Sequence, residues 1–361
     1  MIRRASALAL VAALCSATAL ADTIRLADGS AIEGVQVVSE GLKDVVYKEG
    51  GKDKTVASAT VVAVEFDKKP KEVDEAEGLI GEGDFEGAVD TLDAYVAAML
   101  DRNKTPGSYK WAPAYAAWRA IDVRTLVADF DGTRTAAERI VKSYGETRYA
   151  PAAYLAKACA ELQLGRAADA QATLTEFSTL IESQGLDKRW QLECKLSQVE
   201  ADEKMKGEAR RNEYERVFGE AKAYPATRTR AQVLVGESFL AEAKGSGSAK
   251  DLRTKARAAF QKVIDDAGAP RLQLAGAYAG LGESLYLLGA DADDKAQLQD
   301  AALAFLRVTS IYRDDGRYVA KSLYHAMRCF DLMQDPRKKA DMRGELLAQF
   351  PATTWAEEAK K

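Results

Sequence analysis

His325 is the single histidine in a chain of 361 residues. Metal sites that need two or more imidazoles are therefore excluded, and any Ser-His or Cys-His nucleophilic pair would have to use this one residue. It falls in a strong helical pattern from Tyr318 to Phe330, where a structural place is expected. Cys159, Cys194 and Cys329 are widely separated and form no CxxC motif, so they read as small apolar residues of helices, with one disulfide among them left open. Gly245-Ser246-Gly247-Ser248-Ala249-Lys250 has glycines and a lysine but lacks phosphate-loop spacing, and is expected to be a turn. Asp291, Asp293 and Asp294 lack the remaining calcium-loop positions and are expected to form a solvated loop. The chemistry left is that of carboxylates, which could pair for glycosidic hydrolysis or receive a basic partner.

The first residues read as an address. Arg3 and Arg4 precede an apolar run from Ala7 to Leu14, and Ala19-Leu20-Ala21 is a small-x-small cleavage signal ahead of Asp22. Residues 1–21 are thus expected to be a secretory signal peptide cleaved after Ala21, sending the chain to the periplasm or envelope. Leu14 ahead of Cys15 argues against lipid attachment, which wants a small residue there. No later stretch reaches the ~20 apolar residues of a membrane-spanning helix. The net charge of −4 becomes −6 once the two leader arginines are gone, which disfavours nucleic acid as a partner.

The rest of the chain holds two kinds of element. Residues 22–67 alternate as strands: Ile24 and Leu26 before the hairpin-forming Asp28-Gly29, then Ile32, Val35 and Val37, Val45 and Tyr47, Gly50-Gly51, and Val62, Val64 and Phe66. Four or five short antiparallel strands would make an SH3/Sm-like barrel or a curled sheet, supported by the helices after it. A charged linker is expected at 68–72. From 73 to 361 the chain is helical, rich in Ala, Leu, Glu, Lys and Arg, with Pro113, Pro151, Pro225, Pro270, Pro336 and Pro351 at helix boundaries. The stretch Asp187 to Glu220 is expected to be one long helix or two short ones, packed on one side.

The helical part repeats. Gly83, Ala88, Leu92 and Tyr95 share a frame with Gly132, Ala137, Val141 and Tyr144, and with Gly165, Ala170, Leu174 and Phe177. Ala256, Phe260 and Val263, then Ala301, Phe305 and Val308, keep its second half. The alanines lie 49, 33, 86 and 45 residues apart, the long interval hiding a further unit. A glycine that ends one helix, and an alanine where the next crosses it closely, describe a helix-turn-helix unit. Such a unit cannot bury its own apolar stripe and must stack. Gly83-Asp84-Phe85-Glu86-Gly87-Ala88-Val89, and Leu281-Gly282 with Leu285, resemble the tetratricopeptide repeat family. The segments Tyr144 to Ala150 and Phe350 to Ala356 share an aromatic-turn-aromatic-alanine pattern that resembles junctions in envelope members of that family.

The resemblance implies a mainly α fold, a tetratricopeptide-like α-solenoid preceded by the small antiparallel β module. It also implies a concave surface that binds protein or peptide, and it implies no cofactor and no catalytic or metal-binding residue. Glu237 and Glu283 stand in matching Gly-Glu-Ser triplets, and Glu77 follows Ala76 at the corresponding place in the first unit. With Arg230 and Tyr286 nearby, these are the candidate lining of a groove for basic segments. The same carboxylates are the only candidates for a glycosidase-like pair. However, packed helices lie ~10 Å apart, beyond the range of that chemistry. The reading is an exported, non-enzymatic scaffold, with a carboxylate-dependent hydrolase of envelope polymers and a structural spacer as the alternatives.

Overall fold

A computed structural model describes residues 21–101 and 109–361, so the expected leader, except for Ala21, lies outside the described residues. The chain opens with five antiparallel strands, β1 (Asp22–Leu26), β2 (Ala31–Glu40), β3 (Asp44–Glu49), β4 (Lys52–Ala57) and β5 (Val61–Glu65), in the order β4-β3-β2-β1-β5. Gly29, Gly50 and Gly51 take the positive φ that their tight turns need. β2 pairs with β1 through its first half and with β3 through its second, and a register shift after Val37 bends it between them. The ladder stays open between β4 and β5, so the module is a curled sheet. Its inner face is Ile24, Val35, Val37, Val45, Tyr47, Val61, Val64 and Phe66. Val62 departs from the expected alternation: a shift in the β1–β5 pairing turns Val61 inward and leaves Val62 63% exposed.

Helices then run to the C-terminus: α1 (Lys71–Glu82), α2 (Phe85–Leu100), α3 (Ala112–Leu126), α4 (Phe130–Ser143), α5 (Ala150–Gln163), α6 (Ala167–Gln184), α7 (Lys188–Ala201), α8 (Gly207–Glu220), α9 (Pro225–Ala243), α10 (Ala249–Ile264), α11 (Arg271–Ala292), α12 (Lys295–Ile311), α13 (Gly316–Leu332), α14 (Pro336–Gln349) and α15 (Thr354–Lys360). Each packs on the next, so α1 to α14 form successive hairpins and α15 caps the last against α13. Pro113, Pro151, Pro225 and Pro336 sit in first turns, where a missing N–H costs nothing.

One turn geometry recurs within the hairpins. A residue in the left-handed region ends the first helix and the next residue caps the second: Gly83 and Asp84, Ala128 and Asp129, Gly165 and Arg166, Asp293 and Asp294, Gln334 and Asp335. At each, the amide of the capping residue donates to a carbonyl five residues back, as Asp84 does to Leu79. The aspartate carboxylates then accept from the first turn of the new helix. Asp293 and Asp294 are therefore turn and cap.

The turns also correct one repeat. Gly132 lies inside α4, its amide donating to Asp129, while Ala128 takes the left-handed position. The second copy is thus shifted by one helical turn, and Thr133, Ala137 and Ile140 are its buried residues. The unit hidden in the long interval is α7–α8, two short helices whose Trp190, Leu196, Val199 and Tyr214 are buried. Arg210 stands where the other copies have a small residue, four ahead of Tyr214 and seven ahead of Val217. In the remaining copies Ala88, Ala170, Ala256 and Ala301 are fully buried.

Phe260 fixes the register of three helices. A Cβ added at Gly280 on α11 would come within 2.2 Å of its ring, and one at Gly236 on α9 within 2.6 Å. The ring is clasped from both sides and has nowhere to retreat. Gly280→Val should therefore lose about 1–3 kcal/mol through overpacking. Gly344→Ala, in the middle of α14 with open space around it, should gain up to about 1 kcal/mol instead. Urea denaturation of the two variants checks the contrast.

The array curls until its ends meet. Gly316, at the start of α13, approaches the end of α3 so closely that a Cβ would lie 2.6 Å from the Leu126 carbonyl oxygen. Arg317 donates to Cys159 Sγ on α5 at 3.3 Å. Ala128 shares a cluster with Ala275 and Ala279 of α11 and with Val319 and Ala320 of α13.

The β module is fixed against the helices. The Arg148 guanidinium bonds the buried Glu40 carboxylate, and the Tyr149 hydroxyl donates to both its oxygens at 2.9 Å. Arg189 donates to the Ala59 carbonyl at 3.1 Å, Phe66 stacks on Trp111, and Leu42 packs into the cluster of α5 to α7.

Candidate functional site

The residues that reach the concave side sit on first helices of hairpins. On α9 and α11 the glycine of each Gly-Glu-Ser triplet packs against an aromatic ring of the partner helix, Gly236 on Phe260 and Gly282 on Phe305. Glu237 and Glu283 follow those glycines and are turned away from the rings. Both line a cavity of about 280 Å³ with Gln163, Glu200, Leu240, Ala241, Lys244, Arg317, Tyr318, Lys321 and Trp355. Lys321 belongs to a third triplet, Ala320-Lys321-Ser322, with the same small-charged-serine form and the opposite sign. That signal is present in the sequence once the triplet is read without requiring glycine.

Lys321 donates to Glu283 at 2.6 Å, with both side chains largely buried. Burial works against the Glu283 carboxylate, but Lys321 and the nearby His325 outweigh it and hold its pKa at about 2. Glu237 has no hydrogen-bond or ion-pair partner among the described residues. Burial pushes its carboxyl above the usual range, although Lys321 and Arg317 pull the other way.

Arg230 faces an adjoining cavity of about 340 Å³, which shares Glu200, Arg317 and Tyr318 with the first. Its guanidinium bonds Glu193 at 2.6 Å, and both Ser197 and Glu200 at 3.0 Å. Arg317 bonds Asp315 at 3.0 Å. The structure therefore brings Arg230, Glu237 and Glu283 onto one continuous concave surface. Glu200, Arg317, Tyr318 and Trp355 join them from α7, α13 and α15, units that the repeat frame does not mark.

Glu77 and Tyr286 sit elsewhere. Glu77 accepts from Arg119 Nε and Nη2 at 2.8 and 2.9 Å and from the Tyr115 hydroxyl at 2.8 Å, tying α1 to α3. Tyr286 packs on His325, within a group of rings that includes Phe305, Tyr324 and Trp355. Inside that group neither ring nitrogen of His325 has a hydrogen-bond partner among the described residues. Burial lowers its pKa to about 4; Glu283 opposes the shift, while Lys321, Arg328 and Lys244 add to it.

A base whose folded pKa is depressed in this way binds its proton more readily in the unfolded chain. Stability is then fully present above about pH 6.5 and is lost as pH falls toward 4, by about 3 kcal/mol for His325. His325→Phe is expected to flatten the stability profile over that window relative to the unsubstituted chain. Parallel profiles would show that the imidazole is not held neutral.

Among the described residues no group of three or more His, Cys, Asp or Glu is placed to hold a metal ion, and Cys159, Cys194 and Cys329 are unpaired. No helix there is long and apolar enough to cross a membrane.

Stacked antiparallel hairpins with a charged concave face define a tetratricopeptide-like α-solenoid, with a small β sheet docked on it. No protein-family model matches the chain, and no curated protein matches it. Solved structures similar to it include PilW, a widely conserved type IV pilus biogenesis factor, at 12% identity over 80% of this chain and 97% of that one, with a TM-score of 0.30. Another is the C-terminal part of a TPR repeat-containing protein from Cytophaga hutchinsonii, at 12% identity over 80% and 99%, with a TM-score of 0.32. These likenesses concern the fold alone, and neither neighbour's role passes to this chain.

Proposed function

We propose that the protein is an exported, non-enzymatic scaffold whose concave face binds a basic segment of another protein in the periplasm or envelope. The observation that carries this reading is a carboxylate on that face, Glu237, that no cation of the chain is bonded to among the described residues. Glu193, Glu200, Glu283 and Asp315 are bonded to Arg230, Lys321 and Arg317, whereas Glu237 is bonded to no cation among the described residues; of the other two cations lining the face, Arg189 bonds the Ala59 carbonyl and Lys244 is exposed at the rim. On a concave, partly desolvated surface an unpaired carboxylate attracts a cation more strongly than it would in open water. Export rests on the leader pattern at 1–21, and fractionation with N-terminal sequencing should give a chain beginning at Asp22.

A photo-crosslinking residue in place of Gln163, at the cavity wall, should capture partners in cells through segments enriched in lysine and arginine. The same group in place of Leu303, 59% exposed, should not. Equal capture at both positions, or capture through acidic segments, would contradict the reading. Turnover of envelope polysaccharide abolished by Glu237→Gln would favour the hydrolase instead.

A further inference from the structure

Among the carboxylates that line the cavity between α9, α11 and α13, Glu237 is half-buried and is the one left without a bonded cation among the described residues. Glu283 is neutralised by Lys321 at 2.6 Å, Arg317 by Asp315 at 3.0 Å, and Glu200 shares Arg230 with Glu193. Lys244, the remaining cation of the lining, is exposed at the rim and bonds no carboxylate among the described residues, so Glu237 is the carboxylate that an added positive charge would pair. The walls around Glu237 are suited to a narrow aliphatic stem. Leu240 and Ala241 are apolar, and Tyr318 and Trp355 present aromatic rings.

We infer that this cavity receives the ammonium group of a single lysine side chain of the partner, with Glu237 as its counter-charge. The inference rests on the concave face being the binding surface for a basic segment. A lysine suits the site better than an arginine for geometric reasons. An ammonium is a compact charge with three donors, which one carboxylate and neutral oxygens such as those of Gln163 and Tyr318 can satisfy. A guanidinium presents five donors in a rigid plane and seeks a bidentate carboxylate with further acceptors, and here the other carboxylates are engaged. The chain supplies its own precedent, since Lys321 enters the same cavity and bonds Glu283. The aromatic rings add attraction for a cation at the mouth.

The test uses the full chain and three fluorescent peptides of one sequence, lysine alternating with serine, the same with acetyl-lysine, and the same with arginine. Anisotropy titrations should give a Kd at least 10-fold lower for lysine than for acetyl-lysine, and several-fold lower than for arginine. Glu237→Gln, isosteric and uncharged, should bring the lysine and arginine peptides to within about twofold of each other, while Glu237→Asp keeps part of the preference. Circular dichroism confirms that both variants remain folded. If lysine and arginine peptides bind the unsubstituted chain equally and Glu237→Gln changes neither, the lysine site is refuted while the basic-segment reading stands. If neither peptide binds, that reading falls and the lysine site with it.

Discussion

Arg148→Ala is expected to remove about 3–5 kcal/mol of stability, the usual penalty for leaving one member of a buried ion pair without its partner. The Glu40 side chain is 2% exposed and that of Arg148 10%, so water cannot take over the lost interaction. Two further links depend on the same side chain, its cation–π contact with Tyr149 and its bond to the Tyr149 hydroxyl. The loss should be largest where the β module meets α5, and cleavage in the segment Asp67 to Pro70 by a limiting protease should quicken. Burial already holds the Glu40 carboxyl above its ordinary range with Arg148 beside it. Without the cation it rises further, and an acid with a raised folded pKa is destabilising only while ionised. The deficit of the variant relative to the unsubstituted chain should therefore narrow as pH falls through that raised pKa. Adding Glu40→Gln to Arg148→Ala should restore much of the loss. A double variant as unstable as the sum of its parts would show that the pair is not what holds the module.

Glu283→Gln and Glu237→Gln should separate folding from binding. The first strips Lys321 of its partner in a largely buried setting and is expected to cost several kcal/mol. It should also make the chain less sensitive to acid below about pH 4.5, because the Glu283 carboxyl, held near 2, contributes stability that is lost as pH falls toward that value. The second removes a charge with no partner among the described residues, whose carboxyl is already held above its usual range by burial, so the melting temperature at neutral pH should not fall and should if anything rise. Affinity for a basic peptide should behave in the opposite way, falling 10-fold or more for Glu237→Gln. Chemical denaturation and peptide titration of the same two preparations give both readouts. A large stability loss in Glu237→Gln would mean that its carboxylate supports the fold, and would remove it from the binding surface.

The repeat architecture is legible in the sequence because burial leaves a strong mark there. A small residue is demanded where helices cross closely, and Ala88, Ala170, Ala256 and Ala301 supply it. The mark fades where geometry is met by other means. Ala128 takes a left-handed turn position usually held by glycine, and this displaces the second repeat by one turn. Arg210 replaces the small residue of α8, and this hides a whole hairpin. The docking of the β module cannot be read at all, since Glu40 and Arg148 are 108 residues apart and nothing local signals their meeting. The site is half legible. Matching triplets point to Glu237 and Glu283, but not to their separate fates, one neutralised and one free, because the charge of Lys321 arrives from the hairpin stacked next along the array. Glu77 sits at an equivalent place on α1 and is consumed by Arg119, so equivalent repeat positions share a direction and not a partner set.

Whether the concave face is a receptor for positive charge is tested most directly by calorimetric titration of the full chain. The ligands are a basic peptide and its charge-reversed counterpart, each at low and at physiological salt. Saturable binding of the basic peptide at one site, weakened by salt and weaker in Glu237→Gln, with no heat from the acidic peptide, is the expected result. Equal binding of the two peptides, or binding of the basic one that salt leaves untouched, would contradict it.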